Sequence, residues 1–260
     1  MNYLFIVLSV ILFSCATERP VGKTEAEVLY KEAAEMVKDG HFLMATEKLN
    51  TIRSKYPYSF FATGAELLQA DILYDQESYV EAAAAYILFR DFHPKHPKIP
   101  YVVFRIAEAY FKQLPSTFDR DLSPTADAIK YYEELIFKYP GSEHVKDAKK
   151  NIKKMKEKLG LKQKYIADFY FKTEVYKSAR YRYRDILKGV LFDEGLRDYF
   201  IERVLLSSLM AKDREDCLSD YVIYRDKASK EFISKIDKIK SDCEKLAENK
   251  KDGEEEETSL

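Results

Sequence analysis

Pairs of alanines twelve residues apart recur along this 260-residue chain, and they constrain its fold more than any other feature. The pairs are Ala33 and Ala45, Ala70 and Ala82, and Ala167 and Ala179. A proline follows an alanine by another twelve positions at Pro57, Pro94 and Pro140. Self-similarity at a fixed period of this length indicates an array of helix pairs.

The spacing has a physical basis. Two helices joined by a tight turn approach closely only where the facing side chains are small, and one alanine on each helix allows that approach. An aromatic residue near the turn, such as Phe42, Tyr79 or Tyr176, fills the space beside it. The proline ends the second helix, because it lacks an amide hydrogen and clashes with the preceding turn. In one pair Ala107 precedes Ala128 by 21 positions, which indicates an insert of nine residues.

This pattern is similar to the tetratricopeptide repeat, whose period is about 34 residues. The match holds at the small, aromatic and proline positions, whereas the usual tryptophan is missing because the chain has none. The sequence shows no alternation of polar and apolar residues of the kind typical of strands. We therefore predict an all-α tetratricopeptide-repeat solenoid of about five helix pairs. The alternative is an ordinary helical bundle in which the alanine spacing is a coincidence.

The first residues are not expected to belong to this fold. The apolar run from Tyr3 to Phe13 is shorter than the roughly 20 residues that a membrane-spanning helix needs, and it is typical of a signal peptide over residues 1–14. The segment that ends in Ser14 and Cys15 resembles the lipobox of bacterial lipoproteins. That resemblance implies a lipidated Cys15 followed by a tether over residues 15–24. The alternative is a simple secretory signal with an incidental cysteine.

The rest of the chain divides into repeats and a tail. We predict repeats one to three over residues 25–142, repeats four and five over 143–249, and a disordered acidic tail over 250–260, which contains four consecutive glutamates. Lys and Arg total 43 against 44 Asp and Glu, so the charge gives no indication of a nucleic-acid partner.

No feature of the sequence indicates catalysis. The four histidines do not stand near cysteines or acidic clusters at ligand spacing, whereas a zinc site normally has three or four protein ligands. Glycine loops for phosphate and serine-nucleophile motifs are also missing. We therefore predict a protein that is not an enzyme and that has neither a cofactor nor a metal.

Four segments carry a more specific resemblance. They are Lys55–Ser59, His96–Phe104, Asp119–Asp121 and Lys138–Ser142. These segments resemble the BamD family, the tetratricopeptide lipoproteins of the outer-membrane β-barrel assembly machine, and the insert falls at the same place in that family. The resemblance runs over essentially the whole mature chain and is clearest from Tyr56 to Ser142.

The resemblance implies a scaffold that helps to fold and insert outer-membrane β-barrels. Such a scaffold is lipid-anchored in the outer membrane and faces the periplasm. Its C-terminal repeats bind the POTRA domains of BamA, its N-terminal repeats meet unfolded outer-membrane β-barrel proteins, and accessory Bam lipoproteins are further possible partners. The alternative is a periplasmic scaffold of another cell-envelope or division complex.

Two sets of candidate binding residues follow from the resemblances. The tetratricopeptide frame implies a peptide groove on the first helices of repeats one to three, lined by Tyr30, Lys38, Leu67, Asp71, Tyr74, Phe104, Glu108 and Phe111. The alternative is that its aromatic residues pack between repeats. Candidate partner-binding residues are Arg180, Arg182 and Arg184 in repeat four and Asp119 and Arg120 in the insert. Arg182 falls where the BamD family presents an arginine toward BamA, and the alternative is a solvated basic face.

Two further features remain open from the sequence. Cys217 and Cys243 lie 26 residues apart and could form a disulfide in an oxidising compartment, or could remain free and buried. The lysine-rich helix around Lys150 is either a solvated face or a surface for anionic partners or lipid headgroups. For Asp119 and its neighbours, a solvated loop or a helix cap is the alternative to partner contact.

Overall fold

The described part of the protein is entirely helical. The computed structural model describes residues 20–189 and 194–246, which form eleven α-helices, two short 3-10 helices and no strand. The chain divides into two compact units, Met1–Gln113 and Leu114–Leu260, which we call the first and second units. The predicted all-α tetratricopeptide class is confirmed. The predicted signal peptide, Cys15 and the acidic tail lie outside the described residues.

The first unit contains five helices. They are α1 (Glu25–Lys38), α2 (Phe42–Lys55), α3 (Phe60–Asp75), α4 (Tyr79–Phe92) and α5 (Ile99–Lys112). Thr24 caps α1, because its hydroxyl accepts a hydrogen bond from the Glu27 amide at 3.2 Å. Each of α2 and α4 ends two residues before the predicted proline, Pro57 or Pro94.

The second unit contains six helices. They are α6 (Pro124–Lys138), α7 (Val145–Lys172), α8 (Tyr176–Lys188), α9 (Arg197–Met210), α10 (Arg214–Tyr224) and α11 (Ile233–Glu244). Helix α7 runs unbroken through Gly160, so this glycine does not end the helix. The boundary of the units falls at the start of the insert, whereas the predicted division at residues 142 and 143 separates repeats three and four.

The alanines that define the repeat are all fully buried. In the first unit Ala33 and Ala45 belong to one apolar core with Leu49 and Ile52. In the second unit Ala167 and Ala179 belong to another. The small side chains therefore lie where the repeat predicts them, at the contacts between neighbouring helices.

Four of the turns between paired helices share one conformation, and the exception is the insert between α5 and α6. Gly40, Glu77, Glu174 and Lys212 all have positive φ, between 56° and 77°. After each of them, the next amide donates to a carbonyl five residues back, as from Ser78 to Leu73 at 2.9 Å. This bond defines the Schellman motif that satisfies the last carbonyls of a helix. The turn at Lys212 identifies α9 and α10 as a fifth pair of the same type.

A disulfide joins the last two helices of the second unit. Cys217 on α10 and Cys243 on α11 are both fully buried and are bonded to each other. Of the two possibilities that the sequence leaves open, the structure has the bonded one. The bond holds α11 in the same apolar core as α9 and α10.

The register of the repeat gives a prediction about stability. Ala82 and Ala70 are both fully buried, so Ala82→Leu should overpack its surroundings and lower the free energy of unfolding by about 1–3 kcal/mol. The exposed Lys95 provides a control, and Lys95→Ala should stay within about ±0.5 kcal/mol of the wild type. Thermal unfolding followed by circular dichroism measures both variants, and equal midpoints would contradict this register.

Candidate functional site

A polar network joins three helices of the first unit around Asp71. The hydroxyls of Tyr86 and Tyr101 donate to Asp71 Oδ1 at 2.5 and 2.8 Å. Burial raises the pKa of the Asp71 carboxyl, and the two hydroxyl bonds oppose that rise. Asp71 is on α3, Tyr86 on α4 and Tyr101 on α5, so the network fixes the positions of these helices relative to one another.

An arginine connects this network to the surface. The guanidinium carbon of Arg105 lies 3.6 Å from the centroid of the Tyr74 ring, a cation–π contact. Its Nε donates to the Tyr86 hydroxyl at 3.1 Å, and its Nη2 lies 3.5 Å from Asp75 Oδ1. The Tyr74 hydroxyl lies 3.5 Å from Glu108 Oε2, and burial raises the pKa of Tyr74 to about 12.

The structure therefore brings three of the predicted groove residues together, namely Asp71, Tyr74 and Glu108. Arg105, the residue that links them, was missed as a site residue. The sequence does indicate that Arg105 lies near Tyr101, because it follows that residue by four positions and residues four apart lie on the same face of a helix.

The other predicted groove residues lie in different surroundings. Tyr30 packs between α1 and α3, and the centroid of its ring lies 5.7 Å from that of Phe61. The ring is also so close to Gly64 that a Cβ atom added to this glycine would lie 3.1 Å from it. Leu67 is only 3% exposed, so a bound peptide could not reach it. Lys38 is exposed at the end of α1, and Phe104 and Phe111 are half-buried. The structure thus does not support Leu67 as a groove residue, and a groove around Tyr74 stays a prediction.

The arginines of α8 divide into two groups. Arg180 Nε lies 2.5 Å from Asp220 Oδ2, and Arg180 also pairs with Asp216. Arg184 Nε lies 3.4 Å from Asp220 Oδ1, an oxygen without a hydrogen bond of good geometry. Burial raises the pKa of Asp220, and the bond from Arg180 opposes the rise. Arg180 and Arg184 therefore hold an internal acid.

Arg182 differs from its two neighbours. It is half-buried, and no carboxylate of the described residues lies within ion-pairing distance of it. Of the three candidate arginines on α8, it is the one that has no ion pair among the described residues.

The insert is held against the lysine-rich helix α7. Lys158 Nζ donates to the carbonyl of Pro115 at 2.5 Å, and Lys162 Nζ donates to that of Arg120 at 2.8 Å. The rings of Phe118 and Tyr165 are 5.8 Å apart. Two lysines of this helix therefore have a structural role, beyond the solvated face or anion-binding surface that the sequence indicates.

The predicted insert residues Asp119 and Arg120 are exposed. A hydrogen bond from Thr117 holds the pKa of Asp119 below its usual value, so the carboxylate stays charged. Because the backbone of Arg120 is fixed by α7, the insert presents both side chains from an ordered segment.

None of the described helices has the length and apolar character needed to cross a membrane. Among the same residues, no group of three or more His, Cys, Asp or Glu side chains could hold a metal ion. Cys15 lies outside this part of the chain.

The chain as a whole is similar to a family of known proteins. The family model described as YfiO, outer membrane lipoprotein, matches residues 23–191. The chain is 28% identical over 200 residues to the outer membrane protein assembly factor BamD of Neisseria meningitidis serogroup A, covering 71% of this chain and 75% of that protein. It is 26% identical over 197 residues to the protein of the same name from Vibrio cholerae, covering 72% and 82%.

The chain also resembles a solved tetratricopeptide structure, the TPR2AB-domain:pHSP90-complex of yeast Sti1. The TM-score is 0.43 and the identity 14%, and the match covers 86% of this chain and 100% of that one.

Proposed function

The chain belongs to the YfiO family of outer membrane lipoproteins, the family of the BamD assembly factors, and we propose that it acts in outer membrane protein assembly. The observation that carries this proposal is the family match over residues 23–191, which includes helices α1 to α8. In this proposal the protein binds other proteins and does not catalyse a reaction. Its partners are the other components of the β-barrel assembly machine and the barrel proteins that the machine inserts.

The membrane attachment is through lipid on Cys15. The resemblance to a lipobox supports this anchor. In our proposal the repeats lie in the periplasm at the outer membrane. A single acyl chain binds a membrane only marginally, whereas two or more chains hold a protein stably. A lipoprotein anchor with several chains therefore suits a scaffold that remains at the membrane.

The second unit is proposed to bind the POTRA domains of BamA through Arg182. Its planar guanidinium suits a carboxylate on a partner, since it donates two parallel hydrogen bonds. Arg180 and Arg184 support the site indirectly, because they fix α8 on Asp220. Asp119 and Arg120 offer a second exposed contact, to BamA or to an accessory Bam lipoprotein.

The first unit is proposed to hold extended segments of unfolded barrel proteins at the surface around Tyr74. Tyr74 and Arg105 are both half-buried, so they offer part of an aromatic ring and guanidinium hydrogen-bond donors. Such a mixture suits an unfolded chain, which presents apolar side chains together with unpaired backbone groups.

Photo-crosslinking tests this groove. A photoreactive phenylalanine analogue in place of Tyr74 should crosslink to a peptide taken from a barrel protein. The same analogue in place of Leu88, which is 56% exposed on the second helix of the same pair, provides the control. We expect the product at position 74 and little at position 88. Crosslinking at position 88 alone would contradict the groove.

A cell-envelope or division scaffold is the alternative function. The two functions are distinguished by purifying the tagged chain from membranes and identifying the proteins that remain bound to it.

A further inference from the structure

The second unit contains a second copy of the polar network of the first unit. Asp168 Oδ1 accepts hydrogen bonds from the hydroxyls of Tyr183 and Tyr199, each at 2.6 Å. Asp168 and Tyr183 stand 97 positions after Asp71 and Tyr86, and Tyr199 stands 98 positions after Tyr101. The same three contacts therefore join three successive helices in both units.

An arginine completes the second copy as well. Arg203 lies 98 positions after Arg105, and its guanidinium carbon is 4.4 Å from the ring centroid of Phe171 and 5.2 Å from that of Tyr199. Phe171 takes the place of Tyr74. Both arginines thus stack on an aromatic ring that lies three residues after the aspartate.

The two copies differ in the acids around the arginine. In the first unit Asp75 lies 3.5 Å from Arg105, but Lys172 stands at the corresponding position of the second unit. Leu206 likewise corresponds to Glu108. No carboxylate of the described residues lies within ion-pairing distance of Arg203. The second copy therefore lacks both the acid that pairs with Arg105 and the acid that lies at the Tyr74 hydroxyl in the first unit.

Asp168 does not replace those acids, because it has its own cation. Lys164 Nζ lies 2.6 Å from Asp168 Oδ2, and the buried Leu67 holds the corresponding position in the first unit. The charge of Asp168 is therefore compensated locally, and the charge of Arg203 is not.

A cavity of about 680 Å³ opens at this arginine. Its volume is in the range of sites that hold small molecules or single side chains of a partner. Most of the residues that line the cavity are aromatic, among them Phe169, Phe171, Tyr176 and Tyr199. Lys172 and Arg203 also line it. Glu174, an exposed turn residue, is the one further acid of this wall besides Asp168.

We propose that this cavity binds a protein segment in which an aromatic side chain stands next to a carboxylate. The carboxylate pairs with Arg203, whose donors form two parallel bonds to such a group, and Lys172 adds a second positive charge. The aromatic side chain packs against Phe171 and Phe169, where edge-to-face ring contacts add to the burial of apolar surface. The carboxylate comes either from the end of a chain or from an acidic residue.

This site is separate from the Tyr74 surface and from Arg182, and it does not depend on the function proposed for either. Its test therefore needs a signal that comes from this cavity alone. A photoreactive phenylalanine analogue in place of Phe169, which is 54% exposed at the rim, gives such a signal in the full chain. The yield of crosslinked peptide against peptide concentration then gives an affinity at this position.

Three short peptides, each with one phenylalanine, separate the sources of the carboxylate. The first ends in phenylalanine with a free carboxylate, the second is its amidated twin without acids, and the third is amidated and has glutamate next to phenylalanine. We expect the first or third peptide, or both, to bind at least about tenfold more tightly than the second, as loss of a charge-assisted hydrogen bond predicts. Equal binding of all three would overturn the proposal.

Two variants test whether Arg203 and Lys172 bind the carboxylate. Arg203→Gln removes the cation, and Lys172→Asp restores the acid that pairs with the arginine in the first unit. Each should weaken binding of the carboxylate peptide by about 10- to 100-fold. Lys172 is exposed, so its replacement keeps the test valid if Arg203→Gln fails to fold.

The matched control is Lys149→Gln, which removes one exposed positive charge on the same helix as Lys172. It should leave the affinity within about twofold of the wild type, since surface charges contribute little. Unchanged affinity in the folded Lys172→Asp protein, or an equal loss in the control, would overturn the proposal.

Discussion

Replacing Asp220 with alanine is expected to lower the free energy of unfolding of the second unit by about 3–5 kcal/mol. Asp220 has no exposed side-chain surface, and it pairs with both Arg180 and Arg184 on the neighbouring helix α8. Its removal leaves two arginines, 15% and 28% exposed, beside a cavity and without their main counter-charge. Breaking a buried pair costs far more than an exposed pair contributes, because the remaining charge has already lost its water.

Asp226→Ala is the matched control for this variant. Asp226 is also in the second unit and lies 3.5 Å from Arg225, but its side chain is 91% exposed. Its removal should change stability by about 0–1 kcal/mol. Urea unfolding of both variants with the disulfide intact, followed by circular dichroism, measures the difference. Equal unfolding midpoints would show that Asp220 does not hold α8 and α10 together.

The second large effect is expected on binding. Arg182→Glu should weaken binding to the POTRA domains of BamA by about 2–5 kcal/mol, which corresponds to roughly 30-fold or more in affinity. The reversed charge would face the partner carboxylate that the guanidinium binds in our proposal. Because Arg182 has no ion pair among the described residues, this change should leave the helices intact.

Lys146→Glu provides the same charge reversal at an exposed position of α7. It should change the salt dependence of association more than the affinity, as expected for a charge outside the contact. Affinity and helicity are measured on the same preparations. Wild-type affinity in a folded Arg182→Glu protein would contradict the assignment of this residue.

The sequence predicts the helix pairs well because their cause is local. Close helix contacts need small side chains at fixed spacing, and the buried pairs from Ala33 to Ala179 follow that rule. The fifth pair is harder to recognise, because Leu205 and Cys217 occupy the two positions where the first, second and fourth pairs have alanines.

The sites depend on contacts between distant residues, and these are less predictable. In the sequence, Arg180 and Arg184 cannot be distinguished from Arg182. The difference appears only because the fold brings Asp220, about forty residues further along the chain, to Arg180 and Arg184. The pairing of Cys217 with Cys243 likewise depends on how α10 and α11 pack. The network around Asp168 could have been found, since the spacing of its tyrosines and arginine repeats that of Asp71.

Copurification tests the proposed function most directly. The tagged full chain is extracted from membranes with detergent, and the proteins that remain bound are identified by mass spectrometry. Our proposal predicts that BamA is recovered with the wild-type chain and is strongly reduced with Arg182→Glu, while Lys146→Glu retains it. Recovery of a division or other envelope complex without BamA, from a chain that is folded and membrane-bound, would contradict a role in outer membrane protein assembly.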